Sequence, residues 1–168
     1  ARELGIDFLE LAAAETTRFH GDMVALNTRP VFNEPHATQW VAEMVEMVKT
    51  LDDKGHAYNV DGTVFFDVST FDSFGAVSGY DEATMIEYAA ERGGHPDDPR
   101  QRNPLDFILW QPSLDDEPCW PSPWGDGRPG WHIECSAMAK GTIGETIDLH
   151  GGGSDLIFPH HECERAQS

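Results

Sequence analysis

Lysine is nearly missing from this chain. Only Lys49, Lys54 and Lys140 occur, and Lys plus Arg number 11 against 30 Asp plus Glu, a formal charge of −19. That balance argues against a nucleic-acid or anionic-membrane surface on this portion, because a phosphate backbone would be repelled. The carboxylates are spread along the chain instead of forming one tail, as in proteins that work at high salt, where counterions screen the self-repulsion. Cysteine is also scarce. Cys119, Cys135 and Cys163 lack the even count and close spacing of a disulfide framework, so a special role for any of them is metal binding or chemistry rather than crosslinking. No signal peptide and no apolar run of about 18 residues is present, and a reducing cytoplasm fits best. A Walker loop, a G-x-G-x-x-G fingerprint, internal repeats and low-complexity tracts are missing as well. At 168 residues the chain has the length of one domain with a real core. It starts at ARELGID without a Met and stops at ERAQS, each inside helical material, so both ends read as cut.

The pattern that is present alternates between periods. Asp7 with Glu10 resembles a capping box, and Leu9, Ala12, Thr16, Phe19, Met23 and Leu26 then recur at helical spacing, predicting an amphipathic helix that packs on a core. After Pro35, residues Ala37, Trp40, Val41, Met44, Val45, Val48 and Leu51 share one face of a second helix that Gly55 stops. From Tyr58 to Val68 the pattern predicts a hairpin around Asp61-Gly62. Asp81 caps a helix through Arg92, which Gly93 and Gly94 end. His95 to Pro104 reads as a polar loop, and Pro112 to Gly130 as mostly irregular, with Trp110, Trp120 and Trp124 pinning the loops to the body. Trp131 to Lys140 suits a helix, Thr146 to His150 a short strand, Gly151 to Gly153 a break, and Pro159 a helix start. Strand, glycine turn and helix in that order belong to a nucleotide-binding α/β sheet.

His160 and Glu164 stand four apart, on one face of a helix, and Cys135 lies 25 residues before His160 on the preceding helix. A thiolate, an imidazole and a carboxylate together suit zinc better than magnesium or calcium. By spacing alone a polar helix surface explains the His-x-x-x-Glu pair equally, and a lone cysteine is more often a small buried apolar residue. The run Gly151 to Gly153, then Ser154 and Asp155, could bring backbone to a nucleotide and a carboxylate to a ribose hydroxyl, or could be a plain turn. Trp131 could shape a pocket or belong to the core.

Joined end to end, these pieces carry more than each does singly. SPWGDGRPGWHIECSAM from Ser122 and DLHGGGSDLIFPHHECERAQS from Asp148 closely resemble the corresponding stretches of cysteinyl-tRNA synthetases. The resemblance extends through DMVALNTRP, EPHAT, KGHAY, FFDV and PLDFILW and so covers nearly the whole chain. It implies an α/β fold, part of the Rossmann-like class I synthetase catalytic core with a mixed α+β insertion. The implied division is 1–56 for helical parts of that core, 57–121 for the insertion, and 122–168 for the second part of the nucleotide-binding core.

By the same resemblance Cys135, His160 and Glu164 match three of the family's four zinc ligands, the fourth being a cysteine that precedes this chain. In the family the zinc takes the substrate cysteine thiolate, a discrimination against serine that van der Waals fit could not supply. Trp131 matches a residue near the amino-acid pocket, and His150, Gly153 and Asp155 match residues lining the adenosine site. The implied reaction joins L-cysteine to ATP, with Mg2+, and transfers the cysteinyl group to tRNA(Cys), which is contacted mostly outside this chain. No catalytic side chain is assigned, because positioning and charge stabilisation carry such chemistry. The family's phosphate-stabilising motifs are outside the sequence, so the segment alone is expected to be inactive.

Some positions depart from the family pattern. Cys163 stands where the family commonly has Asn, and Gln111 where Lys follows the tryptophan. SGYDEATMIEYAAERGGHPDDP resembles instead the sister family of mycothiol ligases, which transfer activated cysteine to an amino sugar. Glu164, the following AQS, LNTRP and FFDV favour the tRNA enzyme. A non-catalytic zinc-binding homologue and a plain acidic α/β domain with no ligand are the remaining alternatives.

Overall fold

The computed structural model describes residues 1–168, the side chain of Arg2 excepted. The chain forms two compact units, Ala1–Glu34 and Pro35–Ser168.

In the first unit, helix α1 spans Phe8–Ala25. Asp7 caps it, its carboxylate accepting from the amides of Leu9 (2.8 Å) and Glu10 (3.2 Å). Its end is tied off by Thr28 N–H to Met23 O and Asn27 N–H to Val24 O, with Asn27 at φ 55°. The helix forms where the periodicity predicts it, but it contains no buried residue. Leu9, Phe19 and Leu26 are more than half exposed. A unit with one long helix has no second layer against which an apolar face can be covered, so periodicity foretold the helix and not its burial.

The second unit is built on a four-stranded antiparallel sheet, order β1-β2-β3-β4, from Ala57–Val60, Thr63–Phe66, Phe107–Pro112 and Gly127–Pro129. The β1–β2 hairpin pairs Val60 with Thr63 around Asp61 (φ 51°) and Gly62 (φ 84°). Both turn residues therefore have the positive φ of the two-residue turn whose twist matches the flanking strands. β2 is buried along its whole length. Val64 and Phe66 face a core shared with Val48, Leu109, Trp110 and Ile133. On the other side, Phe65 stacks on Tyr58 and lies under the Arg100 guanidinium. The polar loop 95–104 is thus the cover of the sheet's second face. Arg100 donates to Asp98 and to Thr63 Oγ1, and Asp106 gathers Tyr58 Oη–H (2.6 Å) and the amides of Val68, Arg102 and Asn103.

Helices α2 (Val41–Asp53), α3 (Glu82–Glu91), α4 (Trp131–Thr142) and α5 (Glu162–Gln167) complete the unit. α2 buries Val41, Met44, Val48 and Leu51, the stripe read from the sequence, although Ala37 to Gln39 form a separate 3-10 turn before it. α2 packs on α4, and α4 on β3 and α5. The tryptophans serve as expected: Trp110 is fully buried, Trp124 and Trp120 pack on the same core, and Trp120 makes a β-bridge with Gly127.

One predicted element is not formed. Thr146–His150 makes no strand; every one of its residues is exposed, Leu149 by 88%. A strand needs a neighbour to receive its backbone groups, and among the described residues this stretch pairs with none. The segment PLDFILW, by contrast, supplies β3, and the short β4 emerges from the Pro/Gly-rich stretch where an irregular course was expected.

Candidate metal centre and adjoining cavity

α4 brings Cys135 to the site from one side. The residue before α4, Gly130, lies so close to Ile108 that a Cβ there would run into that residue's carbonyl oxygen. The glycine therefore sets how tightly the helix follows the sheet. Opposite, Ile157–His161 form a wide turn in which Phe158 is extended (φ −137°, ψ 136°), and the chain then continues into α5. This turn is anchored twice. Arg92, at the end of α3, donates to the carbonyls of Asp155 (2.7 Å) and Phe158. Glu162, fully buried, accepts the amides of Val77 (2.9 Å) and Ser78 (3.2 Å). Gln167 stitches α5 to α4 when its amide nitrogen faces Ser136 Oγ (2.5 Å) and His132 O (3.1 Å) and its oxygen faces Ile133 N–H.

With both elements held, one donor atom each from Cys135, His160 and Glu164 lies within 4.8 Å of the others. The soft thiol, imidazole and carboxylate fit a borderline divalent cation such as zinc, and three protein ligands leave a place open. His160 and Glu164 are buried and Cys135 half-buried. Burial, reinforced by the Glu164 and Glu134 carboxylates, pushes the Cys135 thiol up to about 11. Burial also lowers the His160 imidazole, against the pull of Glu164. A cation here would replace a thiol proton and sit beside a neutral ring.

His132 was not singled out by sequence. Its Nδ1 lies 2.9 Å from His160 Nδ1, and burial followed by the nearness of His160 lowers it to about 3. Two neutral rings meeting at Nδ1 must share one proton. When that proton is on His160, its Nε2 lone pair faces Glu164 at 3.5 Å, the tautomer a metal ligand needs. Trp131 lays its ring on the His160 ring, centroids 4.5 Å apart, while remaining half exposed.

The residues read as an adenosine site divide. His150 and Gly153 line a cavity of about 1520 Å³ together with Gly152, His161 and Glu164. Asp155 is exposed outside that wall, as is Trp131. His150 also comes within 3.3 Å of Glu164, so two groups of residues assigned separately in the sequence meet at one carboxylate. His161 and Glu162 were missed as well; the doublet His160-His161 was the visible clue to the first, and nothing local to Glu162 points to residues 77 and 78.

A family model described as the class I (C) tRNA synthetase catalytic domain matches residues 1–168. Among curated relatives, a cysteine--tRNA ligase of Maricaulis maris is 48% identical over all of this chain and 36% of that protein. One of Symbiobacterium thermophilum is 49% identical over the same shares. An L-cysteine:1D-myo-inositol 2-amino-2-deoxy-alpha-D-glucopyranoside ligase of Streptosporangium roseum is 47% identical over 97% of this chain and 40% of that protein. The chain thus spans well under half the length of these relatives.

Proposed function

We propose an activity for this chain from one premise: it belongs to the family of class I (C) tRNA synthetase catalytic domains. On that premise it is the part of a cysteine--tRNA ligase that recognises L-cysteine and the adenosine of ATP. The carboxylate of cysteine attacks the α-phosphate of Mg2+-ATP and pyrophosphate leaves. The cysteinyl group then passes to a terminal hydroxyl of tRNA(Cys), with AMP leaving. Turnover belongs to the whole protein, and with a charge of −19 this portion leaves most tRNA contacts to other parts of it. We place the reaction in the cytoplasm. The three cysteines are free, and among the described residues no helix is long and apolar enough to cross a membrane.

The observation that supports this reading most is the convergence of Cys135, His160 and Glu164. Zinc held by these residues would supply a soft Lewis-acid position that a thiol fills far better than a hydroxyl, separating cysteine from serine. Of the chain's own groups, His132 fixes the His160 ring through the Nδ1 contact, and Trp131 covers that ring and walls the amino-acid side. His150 and Gly153 face the adenosine, and Asp155, its backbone held by Arg92, is assigned to a ribose hydroxyl.

A second reading shares the first step and changes the acceptor to an amino sugar. The Streptosporangium relative, as similar to this chain as the tRNA ligases are, favours it. Charging assays on the intact protein separate the two. Cysteinylation of tRNA(Cys) is expected, cysteinylation of only the glucosaminyl-inositol acceptor selects the second reading, and absence of cysteine-dependent ATP–pyrophosphate exchange rejects both. Zinc analysis of the intact protein and of Cys135→Ala tests the metal set. The variant is expected to hold about one equivalent of zinc less than the parent protein, and equal zinc in both contradicts the assignment.

A further inference from the structure

Glu164 belongs to two donor sets. Besides the thiol-containing one, its Oε2 lies 2.8 Å from His161 Nδ1 and 3.3 Å from His150 Nε2. The donor atoms of His150, His161 and Glu164 all fall within 4.8 Å of one another. The sets differ in what they face. His150, His161 and Glu164 line the 1520 Å³ cavity, whereas Cys135 and His160 do not.

Local packing holds the second set in shape. Gly152 lies against the His161 ring, and a Cβ there would run into Nε2 and Cε1 of the imidazole. With that edge of the ring backed by the glycine, Nδ1 is turned to Glu164. The His150 ring meets the His161 ring nearly edge-on, 4.5 Å between centroids at 73°. Two imidazoles and a carboxylate with an open side form a recognised ligand set for zinc, and imidazole equally suits nickel or cobalt.

We propose that His150, His161 and Glu164 form a second, thiolate-free metal position open to the cavity, which takes a borderline divalent cation and shares the Glu164 carboxylate with the Cys135–His160 set. Glu164 is then required by both positions, Cys135 by the first alone, and His150 by the second alone.

Cobalt separates the positions, because a thiolate–cobalt bond adds a strong near-ultraviolet charge-transfer band that nitrogen and oxygen ligands lack. The intact protein, stripped of metal, is titrated with Co2+ as wild type, as Cys135→Ala, and as Cys135→Ala with His150→Ala, each checked for its native thermal transition. Cys135→Ala is expected to keep about one equivalent of Co2+ with visible ligand-field bands and no thiolate band. Adding His150→Ala, a change at an exposed side chain, is expected to weaken that binding by at least about tenfold, as loss of a direct ligand should cost no less than loss of its supporting partner. No Co2+ bound to a folded Cys135→Ala protein overturns the proposal, as does binding unchanged by His150→Ala. A wild type without the thiolate band would instead count against the Cys135 set and leave this second position standing.

Discussion

Three imidazoles converge on one oxygen of Glu164, those of His150, His160 and His161 at 3.3, 3.5 and 2.8 Å. A carboxylate so surrounded needs its neighbours held at fixed distances, and Gly152 supplies part of that by having no side chain. Gly152→Ala is expected to push the His161 ring off Glu164. Its stability should change by less than about 1 kcal/mol, because a side-chain tip can move aside. Co2+ binding in a Cys135→Ala background should nonetheless fall by about tenfold, read by the visible-band titration. Farther from the site, Arg100 holds the Asp98 carboxyl down to about 2 through its side-chain hydrogen bonds. A carboxyl lowered on folding adds stability that is whole above its unfolded value near 4 and lost as pH falls through 2. Asp98→Asn should therefore flatten the stability curve between about pH 4 and 2 while removing about 1 kcal/mol or less at neutral pH, since the guanidinium is partly solvated. Urea midpoints across that range give the comparison.

At the scale of elements, the site depends on a turn and a short helix that cannot stand alone. α5 has six residues, too few to be stable by propensity, and its position comes from Glu162, Gln167 and Arg92. Glu162→Ala would leave the amides of Val77 and Ser78 without their acceptor inside the fold and is expected to cost about 1–3 kcal/mol. Glu162→Gln, which keeps an acceptor oxygen, should cost less. Denaturant unfolding of both variants, with zinc content measured in parallel, checks this: if α5 carries the site, zinc retention falls in step with stability. The stripe on α2 and the Asp61-Gly62 hairpin were legible because both are local rules, one a period and the other a demand for positive φ. The strand expected at Thr146–His150 failed because strand formation needs an edge elsewhere, and no local pattern reports whether one is free. The same holds for α1, whose apolar row is real but uncovered within its own unit.

Across the whole molecule, the excess of carboxylates leaves a surface in which ion pairs such as Lys49–Glu46 and Arg18–Glu15 neutralise few of the charges. Self-repulsion of that size is screened by salt. The melting temperature is therefore expected to rise from low to molar KCl, and a flat curve would reject high-salt adaptation as the reason for the composition. By itself the sequence determined the family, through motifs that run from DMVALNTRP to PHHECERAQS, and it determined which residue types could meet a metal and a nucleotide. Spacing along a helix was enough to pair His160 with Glu164, because four residues make about one turn. Only the tertiary structure decided that Cys135 reaches them, that His132 meets His160 at Nδ1, and that His150 and His161 turn to the same carboxylate. Apart from His161 and Glu164, three residues apart, those contacts join positions 14 to 29 residues apart, and their distances are set by how α4 and α5 pack, which is a property of the core and not of any one segment.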